Sequence, residues 1–300
     1  MHPITLEARP QTGLVVALHC SGSSARQWRA LAERLEPGRR VIALDLHGHG
    51  AMPAWQGERA MTLGDEASLV AAALMQARAD QGDRSGAHLV GHSYGGAVAL
   101  KVASLYPELL RSVAVYEPVV FRLLFDDARS VAETRDVIGL AEVMEFRHGE
   151  GNAEGAARAF VDYWSGFGAW HRLPASRREA MAQQMPAVLR HLTAVFHERW
   201  LSAALARLAV PALVLTGSDT VASTRRVGQR LRTLMPGAVH EVLPGLGHMA
   251  PVTHAEIVNQ RFADFLQAVT DPLQFPPTGS EARKPRAARR LQLAAKEALA

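Results

Sequence analysis

Short apolar runs alternate along this chain with longer stretches in which apolar residues recur every three to four positions. That alternation predicts a mostly parallel sheet flanked by helices, because a helical crossover must return the chain to the same end of the sheet before each new strand. Runs over 13–19 (GLVVALH), 40–46 (RVIALDL), 87–91 and 112–115 read as buried strands. Helices are expected between them. One spans 24–35, with Trp28, Leu31 and Leu35 at helical spacing. A second spans 62–79, opened by Thr62 and Asp65 at capping-box spacing, and a third covers 95–106 and halts before Pro107. Two more strands are expected at 211–216 and 239–243, with helices over 224–234 and 255–269. Before the first buried strand there is room for one short edge strand, over 4–8.

The rhythm breaks between 119 and 208. This stretch has no convincing strand but several helix-like segments, and it holds many large apolar residues, among them Phe121, Phe160, Tyr163, Trp164, Phe167 and Trp170. A structureless loop of that length is implausible in a globular chain, so a helical insertion is expected. The chain therefore divides into an α/β core (1–118 and 209–270), a helical cap (119–208) and a C-terminal tail (271–300).

Composition changes the picture in two places. The net charge of +4 invites a nucleic-acid reading, but six basic and two acidic residues between 276 and 300 account for all of it. The body is neutral overall, so no nucleic-acid groove is expected and the tail reads as a solvated extension. No apolar run reaches the length of a membrane span, and the apolar stretch from 13 lacks the flanks of a signal peptide. A single cysteine, Cys20, rules out an internal disulfide framework and fits a cytoplasmic chain.

The chemistry concentrates at Gly91-His92-Ser93-Tyr94-Gly95-Gly96, a Gly-x-Ser-x-Gly pattern directly after a strand and directly before a helix. Serine is a useful nucleophile only where its hydroxyl is presented to a base. A sharp strand-to-helix turn does this, and the crowding of that turn admits only glycine two positions to either side. The new helix also aims its N-terminal amides at developing negative charge.

With this motif in its setting, the chain resembles the α/β-hydrolase superfamily over 13–269. The resemblance implies a mostly parallel sheet of about eight strands with a helical cap inserted after the sixth; the short N-terminus here departs from that pattern. It also implies a histidine base between the last strand and the last helix, which is His248 in Leu243-Pro244-Gly245-Leu246-Gly247-His248. The rival histidines are His92, which flanks the nucleophile and should point away from it, and His254, expected at the start of the last helix. For the acid, two positions stay open. Asp219, in Thr216-Gly217-Ser218-Asp219-Thr220, is favoured because it follows the strand where the family most often carries its acid. The family's usual Gly-x-x-Asp would fall on Thr220 instead, so the match is shifted by one. Glu117, at the end of the strand after the nucleophile helix, is where some relatives place the acid.

His19-Cys20-Ser21-Gly22 resembles the family's oxyanion loop, which assigns backbone donors to Ser21 and to Tyr94. Cys20 reads as a small buried filler and His19 as a residue that fixes the loop. Trp28, Trp164 and Phe167 are candidates for the substrate pocket. Asp45, His47 and His49 lack further ligands at metal spacing, so no metal and no cofactor are expected. The expected function is a serine hydrolase acting on a small-molecule ester, lactone or thioester, as a monomer or homodimer. Serine at position 93 argues against dehalogenase or epoxide hydrolase chemistry, which needs aspartate there. Cofactor-free C–C hydrolysis, acyl transfer to an acceptor other than water, and a ligand receptor with little turnover are the alternatives.

Overall fold

Among the described residues six strands, β1 (Leu14–Leu18), β2 (Arg40–Leu44), β3 (Ala87–His92), β4 (Leu110–Tyr116), β5 (Ala212–Gly217) and β6 (Val239–Leu243), form one sheet in the order β2-β1-β3-β4-β5-β6, with every neighbouring pair parallel. The structure is a computed structural model, and it describes residues 13–36, 38–81, 86–198 and 201–270. The expected edge strand at 4–8 and the basic tail at 271–300 lie outside the described residues.

The strands are apolar at successive positions because both faces of the sheet are covered. Their period of two is still visible in the packing. Leu14, Val16 and Leu18 of β1 join one core cluster, and Val15 and Ala17 join the other. Val113 and Val115 of β4 likewise face the first cluster, Ala114 and Tyr116 the second.

The first cluster is roofed by α2 (Leu63–Gln81) and α3 (Tyr94–Leu105), the second by α1 (Arg29–Leu35) and the C-terminal helix. The capping box expected at the start of α2 is present: the Thr62 amide donates to Asp65 Oδ2 at 2.8 Å, and the Asp65 amide donates to Thr62 Oγ1 at 3.3 Å. The helix expected over 24–35 opens with a 3₁₀ turn at Ala25–Trp28 before α1 begins.

The connection from β4 to β5 carries helices joined by short turns, with no strand among its described residues. It runs through α4 (Arg122–Phe125), α5 (Val131–Gly149), α6 (Ala153–Ser165), α7 (Ala169–Arg172), α8 (Ala175–Gln183), α9 (Met185–Phe196) and α10 (Leu201–Leu205). After β5 come α11 (Ala222–Leu234), β6, α12 (Ala250–Thr253) and α13 (Ala255–Ala268). In α6 the buried residues Ala156, Ala157, Phe160, Val161 and Trp164 form one stripe, and in α9 Val188, His191, Leu192 and Val195 do the same. Those stripes turn Trp164 and His191 inward, toward the carboxyl ends of the strands. Ligands of open parallel sheets bind at that end.

Candidate active site

Ser93 stands between β3 and α3 with φ 56° and ψ −118°, a conformation that L residues avoid. The close approach of three backbone segments enforces it. A Cβ on Gly91 would lie 2.5 Å from the Gly95 carbonyl oxygen, and a Cβ on Gly95 would lie 2.4 Å from that of Leu18. Both glycines are thus required by space. Among the described residues one other non-glycine residue has positive φ: Glu117, at 44°. Such backbone costs on the order of 1–3 kcal/mol per residue and persists only where the surrounding fold imposes it.

These two residues meet through one imidazole. Ser93 Oγ donates to His248 Nε2 at 2.9 Å, and His248 Nδ1 donates to Glu117 Oε2 at 2.7 Å. All three side chains are buried. Glu117 accepts two further bonds, from the Gly217 amide to Oε1 at 2.8 Å and from Thr220 Oγ1 to Oε2 at 2.7 Å. The carboxylate is therefore fixed from β5 as well as from its own strand.

The structure does not bring Asp219, the favoured candidate for the acid, to His248. Asp219 is exposed, its carboxylate accepts from Ser218 Oγ at 2.7 Å, and it makes no contact with His248 among the described bonds and ion pairs. The hydroxyl of Thr220 stands where the Gly-x-x-Asp pattern would put a carboxylate, and it bonds to Glu117 instead. That threonine is the sequence signal that could have shifted the choice.

The His248 loop is held from behind. Tyr116 Oη donates to the Gly247 carbonyl at 2.8 Å, and His92 Nε2 donates to the His248 carbonyl at 2.9 Å. His92 Nδ1 in turn accepts from Gln27 Nε2 at 3.0 Å, whose Oε1 accepts from the Cys20 amide at 3.1 Å. The loop after β1 is thus tied to the histidine loop through Gln27 and His92, neither of which the motif search assigned to this task. His254 is exposed and bonds to Thr253.

His19 braces the same loop: its Nδ1 donates to the Cys20 carbonyl at 2.8 Å and its Nε2 accepts from the Leu46 amide at 3.1 Å. Among the described residues the amides of Ser21 and Tyr94 have no acceptor. Cys20 is buried, and burial pushes its thiol up to about 12. Asp45 accepts from the amides of Ala25 and Ala51, and no group of His, Cys, Asp or Glu among the described residues is arranged to hold a metal.

Of the pocket candidates, Trp164 lies against His248, with ring centroids 4.0 Å apart and planes 27° apart. Trp28 does not reach the site. It is fully buried on the opposite face of the sheet, against Phe262 of α13. Phe167 is 90% exposed on the turn after α6, because the buried stripe of that helix ends at Trp164. A cavity of about 460 Å³ between α11, β5 and β6 is lined by Thr216, Arg225, Arg232 and His240, not by the Ser93 group.

The buried histidines make folding sensitive to acid. Burial holds His19 at about 4 and His88 at about 3, and it keeps His92 and His191 well below the usual imidazole value. An unfolded chain protonates these rings as pH falls through roughly 6.5, whereas the folded chain does not. Stability is therefore present in full above that pH and is lost as pH falls from there toward 4. His19 and His88 should each remove on the order of 2 kcal/mol by pH 5, and His92 and His191 act in the same direction. A clear fall in the urea midpoint between pH 7 and pH 5 is expected; equal midpoints would contradict the buried neutral rings.

A parallel sheet with a strained serine turn and a histidine loop at its carboxyl end defines the hydrolase class built on this architecture. Residues 15–261 match the model of the alpha/beta hydrolase family, and the chain belongs to that family. It is 28% identical over 284 residues to the dihydrolipoyllysine-residue acetyltransferase component of the acetoin cleaving system of Pseudomonas putida, covering 84% of this chain and 63% of that protein. This chain thus spans less than two thirds of that relative's length. With the uncharacterized hydrolase YugF of Bacillus subtilis it shares 25% identity over 281 residues, covering 86% of this chain and 91% of YugF. The crystal structure of the enol-lactonase from Burkholderia xenovorans has the same fold, with a TM-score of 0.67 and 19% identity over 86% of this chain and 92% of that one.

Proposed function

We propose that this hydrolase cleaves a small ester-like substrate, a carboxylester, lactone or thioester, through an acyl-enzyme on Ser93. The observation that carries the reading is the unbroken hydrogen-bonded series from Ser93 Oγ through His248 to Glu117. A carboxylate on Nδ1 keeps the proton there and leaves Nε2 as the base facing the serine hydroxyl.

In the first half-reaction Nε2 takes the Ser93 proton as Oγ attacks the substrate carbonyl, and the imidazolium that forms is stabilised by Glu117. The free amides of Ser21 and Tyr94 then hold the oxyanion of the tetrahedral intermediate. A preorganised donor of this kind contributes roughly 3–4 kcal/mol to the transition state. Collapse of the intermediate passes the proton from Nε2 to the leaving oxygen or sulfur. Water repeats the sequence on the acyl-enzyme and releases the acid. The helices of 119–208 serve as a cap over the core of 1–118 and 209–270, with Trp164 as the wall of the acyl pocket nearest His248.

A fluorophosphonate probe tests this directly. Labelling is expected at the peptide carrying Ser93, with loss of p-nitrophenyl ester turnover in proportion to the label. Label on another residue, or turnover that survives full labelling, would overturn the assignment.

A further inference from the structure

We propose that His191, on inserted helix α9, is a positioning residue that sets the Ser21 amide toward the reacting carbonyl by holding the Ser21 hydroxyl. The inference rests on the acyl-enzyme reading above and adds to it a residue from the insertion that no motif marks.

The geometry is specific. Ser21 Oγ and His191 Nδ1 are 2.8 Å apart, across 170 residues of sequence. The imidazole lies flat on the Tyr94 ring, with centroids 3.6 Å apart and planes 7° apart, and it stacks on His49 at 4.5 Å. It is buried, so water does not compete for Nδ1. Its other nitrogen fixes which atom carries the proton. Nε2 lies 3.6 Å from Glu66 Oε1, a group that only accepts, and makes no hydrogen bond among the described residues. A proton on Nε2 faces an acceptor, whereas a lone pair there would face a buried carboxylate. Nδ1 is then the acceptor, and the Ser21 hydroxyl donates to it.

Glu66 is itself held in place. It is buried on α2, its Oε2 accepts from His47 Nδ1 at 2.9 Å, and its Oε1 accepts from the His47 amide at 3.2 Å. The ring of His191 is therefore held between Tyr94 and His49, with the fixed Glu66 carboxylate facing Nε2, before it reaches Ser21. Burial also keeps the ring neutral, well below the usual imidazole value, so the acceptor at Nδ1 persists across the working pH range.

The consequence falls on two backbone donors at once. Ser21 is held through its hydroxyl and Tyr94 through the stack of its ring, so one imidazole sets the spacing between the two amides assigned to the oxyanion. A loop that loses this hold keeps its fold, because His19 and Gln27 still brace Cys20 and His49 Nε2 still accepts from the Gly22 amide at 2.9 Å, but Ser21 between them loses its side-chain anchor. Small errors in such placement are costly to the rate and not to ground-state binding.

The test compares His191→Phe, which keeps a flat ring between Tyr94 and His49 but has no acceptor, with His191→Asn, whose side-chain amide can accept from Ser21. With a p-nitrophenyl ester, His191→Phe is expected to lower kcat about 10- to 100-fold with KM within about twofold. His191→Asn is expected to recover most of that loss. Ser21→Ala, which keeps the amide and removes only the hydroxyl, should lower kcat by a similar factor and add nothing in the His191→Phe background. Should His191→Phe fail to fold, Ser21→Ala alone reads the same bond. Wild-type kcat in Ser21→Ala, equal losses in the Phe and Asn variants, or additive losses in the double variant would each overturn the role of His191. The acyl-enzyme reading fails separately, through a Ser93→Ala variant that keeps its turnover.

Discussion

Ser93→Ala is expected to lower kcat on an activated ester by about 10⁴-fold or more while leaving the thermal transition unchanged or slightly raised. The size of the effect follows from the geometry. Among the described residues the hydroxyl is the only group at bonding distance from His248 Nε2, and no other nucleophile there contacts that ring. Cys20, the single cysteine, is buried with a thiol pushed up to about 12, so it supplies no thiolate at neutral pH. The stability expectation has its own cause. Alanine removes a buried hydroxyl but keeps the positive φ, so the backbone strain is neither relieved nor deepened. A variant that retains more than a few per cent of wild-type kcat would remove Ser93 from the mechanism.

Glu117→Gln is expected to lower kcat by about 10⁴-fold, and Asp219→Asn to change it by less than about twofold. Glu117 Oε2 receives the Nδ1 proton of His248 and the hydroxyl of Thr220, and Oε1 receives the Gly217 amide. A glutamine keeps the shape but can satisfy only one side of this arrangement. With its oxygen toward Gly217, its NH₂ meets Nδ1 and Thr220, which drives the imidazole proton to Nε2 and disables the base. Asp219 bonds only its neighbour Ser218 through its carboxylate and is open to solvent, so neutralising it changes little near the ring. The two variants assayed side by side give a direct reading. Comparable losses in both, or a loss confined to Asp219→Asn, would reverse the choice of acid.

That choice shows where the sequence is legible and where it stops. The strands of the sheet, its crossovers and the serine turn are written in local patterns: apolar runs, a capping box, glycines at fixed offsets. His248 is readable for the same reason, since its loop lies between the last strand and the last helix. Which of two carboxylates at neighbouring strand ends meets His248 depends instead on tertiary placement: Glu117, with its positive φ, makes that contact, and Asp219 does not among the described bonds. In the flanking residues only Thr220, standing where Gly-x-x-Asp would put a carboxylate, bears on it. Aromatic residues pose the same difficulty. Trp28 and Trp164 both sit at helical spacing among apolar residues, yet one fills the core under α13 and the other lies on His248. His191 is the hardest case. It occupies one position of the buried stripe of α9 and is indistinguishable in sequence from a residue that only packs.

The helical connection leaves the sheet at the end of β4 and returns at the start of β5, and these two strands are neighbours. It can therefore be exchanged as a unit, in the manner of a cassette, with both splice points fixed by the sheet. Ser93, Glu117 and His248 all stand outside it, so an exchanged connection would leave their hydrogen-bonded series in place. The Ser21 hydroxyl is the exception. A transplanted roof that brings no acceptor to it would inherit the chemistry with one of its donors untethered, which sets a compatibility rule for recombining such enzymes.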